Sequence, residues 1–357
     1  MKRKTVLLLS LLLVFSCDWN KEEKKTKVEE KKPPIVEIQE RLSSIVEKAT
    51  PGIVTIFTYS SKEEPPVAFN AGDEEAFSEN ESLGSGFVYK EDNDFMYILT
   101  NGHVIEKSEN IVVKFYNGVE EKGKIAGIDQ KSDLAVLKIK KDEKISHIKP
   151  LPLGSTENLK VGYFVIAGGS PYNLGHTFTF GIISALHRNL GISTYENYIQ
   201  TDAAINPGDS GGPLLDINGR VVGVNTAIIQ SGQGLGFAIP IDEAKSVADE
   251  LIKYGKVKRG WLGVIVQDLT PKLKKKLNVK IGVYIVKVLK NSPAYKIGLK
   301  KGDVILSVNG KQIKNSQELK YMLAKRKPDT EIVIKIYRKG KIFEKKAVLG
   351  EMLDKGI

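Results

Sequence analysis

Between residues 53 and 240 the chain is cut into short β-type apolar runs, and this segmentation limits its fold more than any other feature. One series comprises 53–58, 86–89, 97–100, 111–115, 124–128 and 134–139; a second comprises 163–167, 181–185, 198–201, 213–216, 221–225 and 236–239. Runs this short do not make ordinary helices, and the turn residues between them, Asn218-Gly219 above all, favour hairpins. Two series imply two β-barrels in a mostly β chain. A chain of 357 residues exceeds the usual single-domain size, so two folded domains with tails are expected. Its 41% hydrophobic and 27% charged residues supply a core and a soluble surface.

Chemistry concentrates in Asn206-Pro207-Gly208-Asp209-Ser210-Gly211-Gly212-Pro213, where a serine sits between glycines at the head of an apolar strand. Without a Cβ, Gly208 and Gly211 can take unusual dihedrals and let a substrate carbonyl approach the Gly208 and Ser210 amides as an oxyanion hole. A serine hydroxyl is a weak nucleophile and needs a histidine base and a carboxylate to orient it. Of four histidines, His103 alone follows an apolar strand on a small turn; His147, His176 and His187 lack that setting. Asp133 opens the run 134–139 and is preferred as the acid to Asp129, which lies in the polar turn before it.

Thr100-Asn101-Gly102-His103-Val104, Ser132-Asp133-Leu134-Ala135-Val136-Leu137, Gln200-Thr201-Asp202-Ala203-Ala204-Ile205-Asn206-Pro207-Gly208 with the serine turn, and Gly234-Leu235-Gly236-Phe237-Ala238-Ile239-Pro240 together resemble the HtrA/Deg family of serine proteases. The order His, Asp, Ser is that of the chymotrypsin arrangement. The resemblance implies a chymotrypsin-like double β-barrel with His103 and Asp133 on the first barrel, Ser210 on the second, and the site in the cleft between them. It also implies a homotrimer and a regulatory insertion at 60–82.

In such proteases the residue six before the serine lies at the base of the specificity pocket. Here it is Ala204, which with Ile205 and Ile228 implies a small apolar pocket for Val, Ala, Leu or Ile. Asn225, Thr226 and Ala227 would pair with substrate as an added strand, which requires an extended and therefore unfolded segment. Arg188 falls in the loop that relays peptide binding in this family, with Asp209 or solvent as its partner. At Asp209 many family members carry Asn.

From residue 35 to 49 apolar positions recur at helical spacing until Thr50-Pro51-Gly52, and residues 242–254 read as a helix capped by Asp242 and stopped by Gly255. The protease region is therefore assigned to 35–255. Lys256-Val257-Lys258 reads as a hinge, and 256–357 resembles a single small α+β PDZ domain. Ser292-Pro293 and Asn315 with Glu318 mark its two helix starts, and Asn309-Gly310 a hairpin. In that resemblance Trp261-Leu262-Gly263-Val264 is the loop that captures a peptide's C-terminal carboxylate. From Lys258 to Ile357 there are 25 Lys plus Arg against 8 Asp plus Glu, a surplus of 17 in a chain whose net charge is +11. That surplus could attract acidic peptides or anionic headgroups.

Met1-Lys2-Arg3-Lys4 precedes an apolar run at 6–15, shorter than the ~20 residues that span a bilayer. It reads as an export signal to the bacterial envelope and periplasm. Leu13-Val14-Phe15-Ser16-Cys17 resembles a lipoprotein cleavage box, making 1–17 a lipoprotein-type signal and Cys17 a lipidated membrane anchor. Residues 18–34, rich in Lys and Glu, are then a charged tether. One cysteine allows no internal disulfide. No metal or cofactor motif is present, and export argues against nucleic acid as partner. Two functions fit: an endopeptidase of unfolded proteins whose PDZ domain binds peptide C-termini, or a PDZ-bearing chaperone or adaptor in which cleavage is secondary.

Overall fold

The computed structural model describes residues 33–59, 81–106, 108, 110–171, 175–228 and 234–352. The signal segment with Cys17, nearly all of the tether, and residues 60–80 of the expected insertion lie outside the described residues. Met1–Glu40 and Arg41–Ile357 are distinct compact units. Of the first, little beyond the opening of helix α1 (Pro34–Ala49) is described. No described helix is long and apolar enough to cross a membrane.

The first lobe contains β1 (Ile53–Tyr59), β2 (Glu81–Glu91), β3 (Phe95–Thr100), the one-turn helix α2 (Gly102–Ile105), β4 (Asn110–Phe115), β5 (Glu120–Lys122), β6 (Lys124–Asp129) and β7 (Leu134–Lys140). These strands pair in the order β5-β4-β1-β2-β3-β7-β6. In β4, Ile111, Val113 and Phe115 face inward and their neighbours outward, the period of a strand with one wet face. β1 and β3 are buried almost throughout, which explains why they do not alternate apolar with charged residues.

The second lobe contains β8 (Phe164–Gly169), β9 (Thr177–Arg188), β10 (Tyr198–Thr201), β11 (Pro213–Asp216), β12 (Val221–Ile228) and β13 (Gly236–Pro240). These close into a barrel, β10-β13-β12-β11-β8-β9. Both expected lobes form, but ladder closure is confined to the second. In the first, β5 is a short polar strand, and the Gly123 amide after it turns back to Ile111 O at 2.9 Å.

Val54, Ile56, Ile98 and Leu137 fill the first lobe, and Val165, Ile183, Ile199 and Leu214 the barrel. A third cluster joins Phe87, Leu99 and Val136 of the first lobe to Ile166, Leu215, Val224 and Phe237 of the second. Helix α3 (Ile241–Tyr254) adds Ala244, Val247, Ala248 and Leu251 to that seam. Burying one such leucine is worth about 1.5–3 kcal/mol, so the lobes are held in register by their own apolar contact. Gly255 ends α3 in the left-handed conformation as expected, but Pro240 occupies the N-cap. Asp242, expected there, lies inside the helix and instead accepts the Thr156 amide and hydroxyl at 2.7 and 2.6 Å.

The C-terminal region runs β14 (Gly260–Trp261), β15 (Val264–Asp268), α4 (Pro271–Leu277), β16 (Val283–Val288), α5 (Pro293–Lys296), β17 (Val304–Val308), β18 (Lys311–Gln312), α6 (Ser316–Ala324), β19 (Glu331–Arg338), β20 (Lys341–Val348) and β21 (Gly350–Glu351). Its main sheet orders as β15-β16-β17-β19-β20, and β14 pairs with β21. Ser292 and Asn315 cap α5 and α6 through their side chains, as their sequence contexts predict. The stretch read as a hinge ends against a buried ion pair. Arg259, 6% exposed, holds Asp129, 8% exposed, at 2.6 and 2.5 Å. Tyr195 lies over the same guanidinium, 4.8 Å away.

Candidate active site

β3 ends at Thr100, and the chain turns through extended Asn101 into α2, which presents His103 as its second residue. The Asn101 amide nitrogen donates to Asp133 O at 2.9 Å, so the histidine turn is bolted to the turn before β7. Asp133 has φ of +55°, a left-handed conformation that Asp tolerates better than most residues. Its carboxylate receives three donors: the His103 backbone N–H at 2.9 Å, His103 Nδ1 at 2.8 Å, and Thr226 Oγ1 at 2.8 Å. An ionised carboxylate only accepts, so Nδ1 carries the proton and Nε2 is left as the basic nitrogen. Asp129, the competing acid, is committed to Arg259 and Ser132.

Ser210 follows the turn Asn206-Pro207-Gly208-Asp209, closed by an Asp209 N–H to Asn206 O bond of 2.9 Å. Pro207 at the second position and Gly208 at the third with φ of +97° match a type II turn. Gly211 is also left-handed, at +89°, and a Cβ there would lie 2.1 Å from Ser85 O. Glycine is therefore required on both sides of the serine. The Gly208 and Ser210 amides donate to no acceptor among the described residues. The Ser210 hydroxyl donates to Thr226 O at 2.9 Å rather than to the imidazole. Thr226 thus touches both ends of the constellation, acid through its hydroxyl and serine through its carbonyl.

Sequence reasoning placed Thr226 on the substrate strand and missed this bridge; no local signal announces it. It also missed Ser85, whose hydroxyl donates to Gly208 O at 2.6 Å, although its setting between Gly84 and Gly86 could have marked a close approach. Asn225, expected to pair with substrate, is committed inward. Its N–H donates to Gly212 O and its carbonyl accepts Gly211 N–H, both at 2.8 Å.

Asp209 is 5% exposed and accepts the Asn206 amide at 2.9 Å. Burial pushes its carboxyl up to about 6. Arg188, considered as its partner, donates instead to Gln200 Oε1 at 2.9 Å. Of the expected pocket residues, Ala204 is exposed and its carbonyl accepts Thr179 Oγ1 at 2.7 Å. Ile205, 6% exposed, packs into the barrel core. The side chain of Ile228 and that of Ala227 lie outside the described residues. No cluster of side chains suited to a metal ion occurs among the described residues.

In the C-terminal region, Leu262 O accepts the Ala294 N–H at 2.9 Å and Gly263 O the Leu289 N–H at 3.0 Å. With these carbonyls turned inward, the Leu262 and Gly263 amides donate to no backbone acceptor among the described residues. Trp261, Leu262, Gly263 and Val264 line a cavity of about 270 Å³ together with Leu319 and Leu323 of α6. Unpaired amides beside an apolar groove suit a carboxylate attached to an apolar residue.

Two family models match the chain: a trypsin-like peptidase domain over residues 84–224 and a PDZ domain over residues 260–347. A probable periplasmic serine endoprotease DegP-like of Pseudomonas fulva is 43% identical over 279 residues, covering 77% of this chain and 57% of the relative. Its counterpart in Chlamydia trachomatis is 39% identical over 343 residues, covering 86% of this chain and 67% of the relative. The chain thus spans a little over half the length of the first of these relatives and two thirds of the second. Among solved structures, the HtrA-type protease AlgW with decapeptide superposes with a TM-score of 0.73 at 36% identity, covering 87% of this chain and 98% of that one. The serine endoprotease from Yersinia pestis gives 0.65 at 33% identity, with 87% and 97% covered.

Proposed function

Because this chain belongs to the HtrA/Deg family of serine endoproteases, in which a trypsin-like peptidase domain precedes a PDZ domain, we propose that it cleaves unfolded or misfolded proteins in the periplasm. The observation that carries the reading is the 2.8 Å contact between His103 Nδ1 and Asp133, joined through Thr226 to the Ser210 hydroxyl.

His103 Nε2 takes the Ser210 proton once the hydroxyl swings from Thr226 O to the imidazole. Ser210 Oγ then attacks the scissile carbonyl. Asp133 stabilises the imidazolium, and the Gly208 and Ser210 amides receive the oxyanion. His103 returns the proton to the leaving amine, and water releases the acyl group by the same steps. The uncharged Ala204, six residues before the serine, supports a preference for small apolar side chains, and the 226–227 backbone pairs with an extended substrate, so folded proteins are poor substrates.

The Trp261–Val264 loop binds peptide C-termini. The same reading assigns 1–17 to a lipoprotein signal with Cys17 lipidated, 18–34 to a tether, 35–255 to the protease, 256–357 to the PDZ domain, and the assembly to a homotrimer. Its support there is the resemblance and the composition of the chain.

The test is casein digestion by the purified protein and by Ser210→Ala. Losing the serine costs ~10⁶ in turnover, so Ser210→Ala must be inert on a gel. Wild-type cleavage by that variant contradicts the reading. An inert wild type whose Ser210→Ala form suppresses aggregation equally well identifies the protein as a chaperone instead.

A further inference from the structure

Ser85 lies on β2 with 0% of its surface exposed, and every polar atom it carries is bonded. Its N–H donates to Ser210 O at 2.8 Å, and its carbonyl accepts Thr100 Oγ1 at 2.7 Å. Its hydroxyl donates to Gly208 O at 2.6 Å and accepts the Ser170 N–H at 2.8 Å. One residue of the first lobe is therefore bonded to the carbonyls of both residues whose amides face the proposed oxyanion.

The need for such a restraint follows from the turn. Type I and type II turns differ by a flip of the central peptide, here Pro207–Gly208. That flip exchanges the Gly208 N–H for the Pro207 carbonyl, replacing a donor by an acceptor where negative charge develops. Glycine offers little steric resistance to the flip. The Ser85 hydroxyl fixes the next peptide plane by its carbonyl, and the Ser85 N–H fixes the plane after Ser210. Ser170, at the end of β8, anchors the hydroxyl from the second lobe, so the restraint spans the seam between lobes.

We propose that Ser85 is a positioning residue of the oxyanion hole: its hydroxyl holds the Gly208–Ser210 loop with both amides free to donate. It touches no reacting atom. The inference rests on the reading of Ser210 as nucleophile.

The test measures kcat and KM of the full chain on a fluorogenic peptide with Val before the scissile bond, for wild type, Ser85→Ala, Ser85→Thr and Ser210→Ala. Loss of one oxyanion donor typically lowers kcat ~10²–10³-fold, so Ser85→Ala should lose roughly 30-fold or more in kcat with KM changed less than about twofold. Ser85→Thr keeps the hydroxyl and should retain at least about a third of kcat even where its Tm falls as far as that of Ser85→Ala. Should Ser85→Ala not fold, Ser85→Cys, with a weak donor of similar size, replaces it under the same thresholds. A folded Ser85→Ala or Ser85→Cys with wild-type kcat overturns the proposal, as does a loss confined to KM or an equal kcat loss in folded Ser85→Thr. Turnover by Ser210→Ala removes the premise; an inert Ser210→Ala beside a fully active Ser85→Ala removes the role of Ser85 alone.

Discussion

Arg259 grips Asp129 through both terminal guanidinium nitrogens, at 2.6 and 2.5 Å, with both side chains almost wholly buried. The pair ties the start of the PDZ region to the turn that delivers Asp133, four residues further along the chain. Removing one partner strands the other charge in the interior. Arg259→Met should therefore cost about 3–5 kcal/mol, and the double variant Arg259→Met, Asp129→Leu should recover most of it. Urea unfolding of the four proteins of the cycle measures both; additive losses would mean that the pair contributes no coupling.

Thr226→Val removes the hydroxyl that reaches Asp133 Oδ2 and keeps the carbonyl that holds Ser210. A hydrogen bond to a charged group contributes about 1.5–3 kcal/mol, so kcat should fall about 10- to 150-fold with KM nearly constant. Steady-state kinetics on a peptide substrate decide it.

The carboxyl of Asp209, pushed up to about 6, binds its proton more tightly folded than unfolded. Stability consequently falls as pH rises from the ordinary carboxylate range through 6, and the full cost, roughly 3 kcal/mol, persists above it. Asp209→Asn, uncharged at every pH, should unfold at a higher urea concentration than wild type at pH 8 and at a similar one at pH 4. An unchanged difference between the two pH values would show that Asp209 titrates normally.

Gly263 approaches Ser292 so closely that a Cβ would lie 2.1 Å from the serine Cβ, at φ of +83°. Gly263→Ala should therefore distort the loop of free amides, weakening a C-terminal peptide at least about tenfold in fluorescence anisotropy while casein cleavage continues. Equal peptide affinity would place carboxylate capture elsewhere.

What was legible in the sequence is what short-range chemistry encodes. His103 and Ser210 stand on turns whose glycines and flanking apolar runs are visible within a few residues, and Asp133 was separated from Asp129 by its position at the head of β7. Ser292, Asn315 and Gly255 announced helix ends because caps are local. Partners distant along the chain carry no such mark: Ser85 meets Gly208 across 123 positions and Thr226 meets Asp133 across 93. Asp242 was read as a cap because its type favours that role, but Thr156, in the segment between β7 and β8, claims its carboxylate. Ile205 was read as pocket lining because apolarity alone does not tell a cleft wall from a barrel core. The buried side of Arg259 was hidden for the same reason, since a lysine-rich hinge looks solvated until its partner is in place.

The most direct test of the central claim is site mapping with a fluorophosphonate probe. Wild type treated with the probe, digested and analysed by mass spectrometry should carry the adduct on Ser210 and nowhere else. His103→Ala should label at least about 10³-fold more slowly, since the proposed general base is gone. An adduct on another serine, or labelling of Ser210 at an unchanged rate in His103→Ala, would contradict the account.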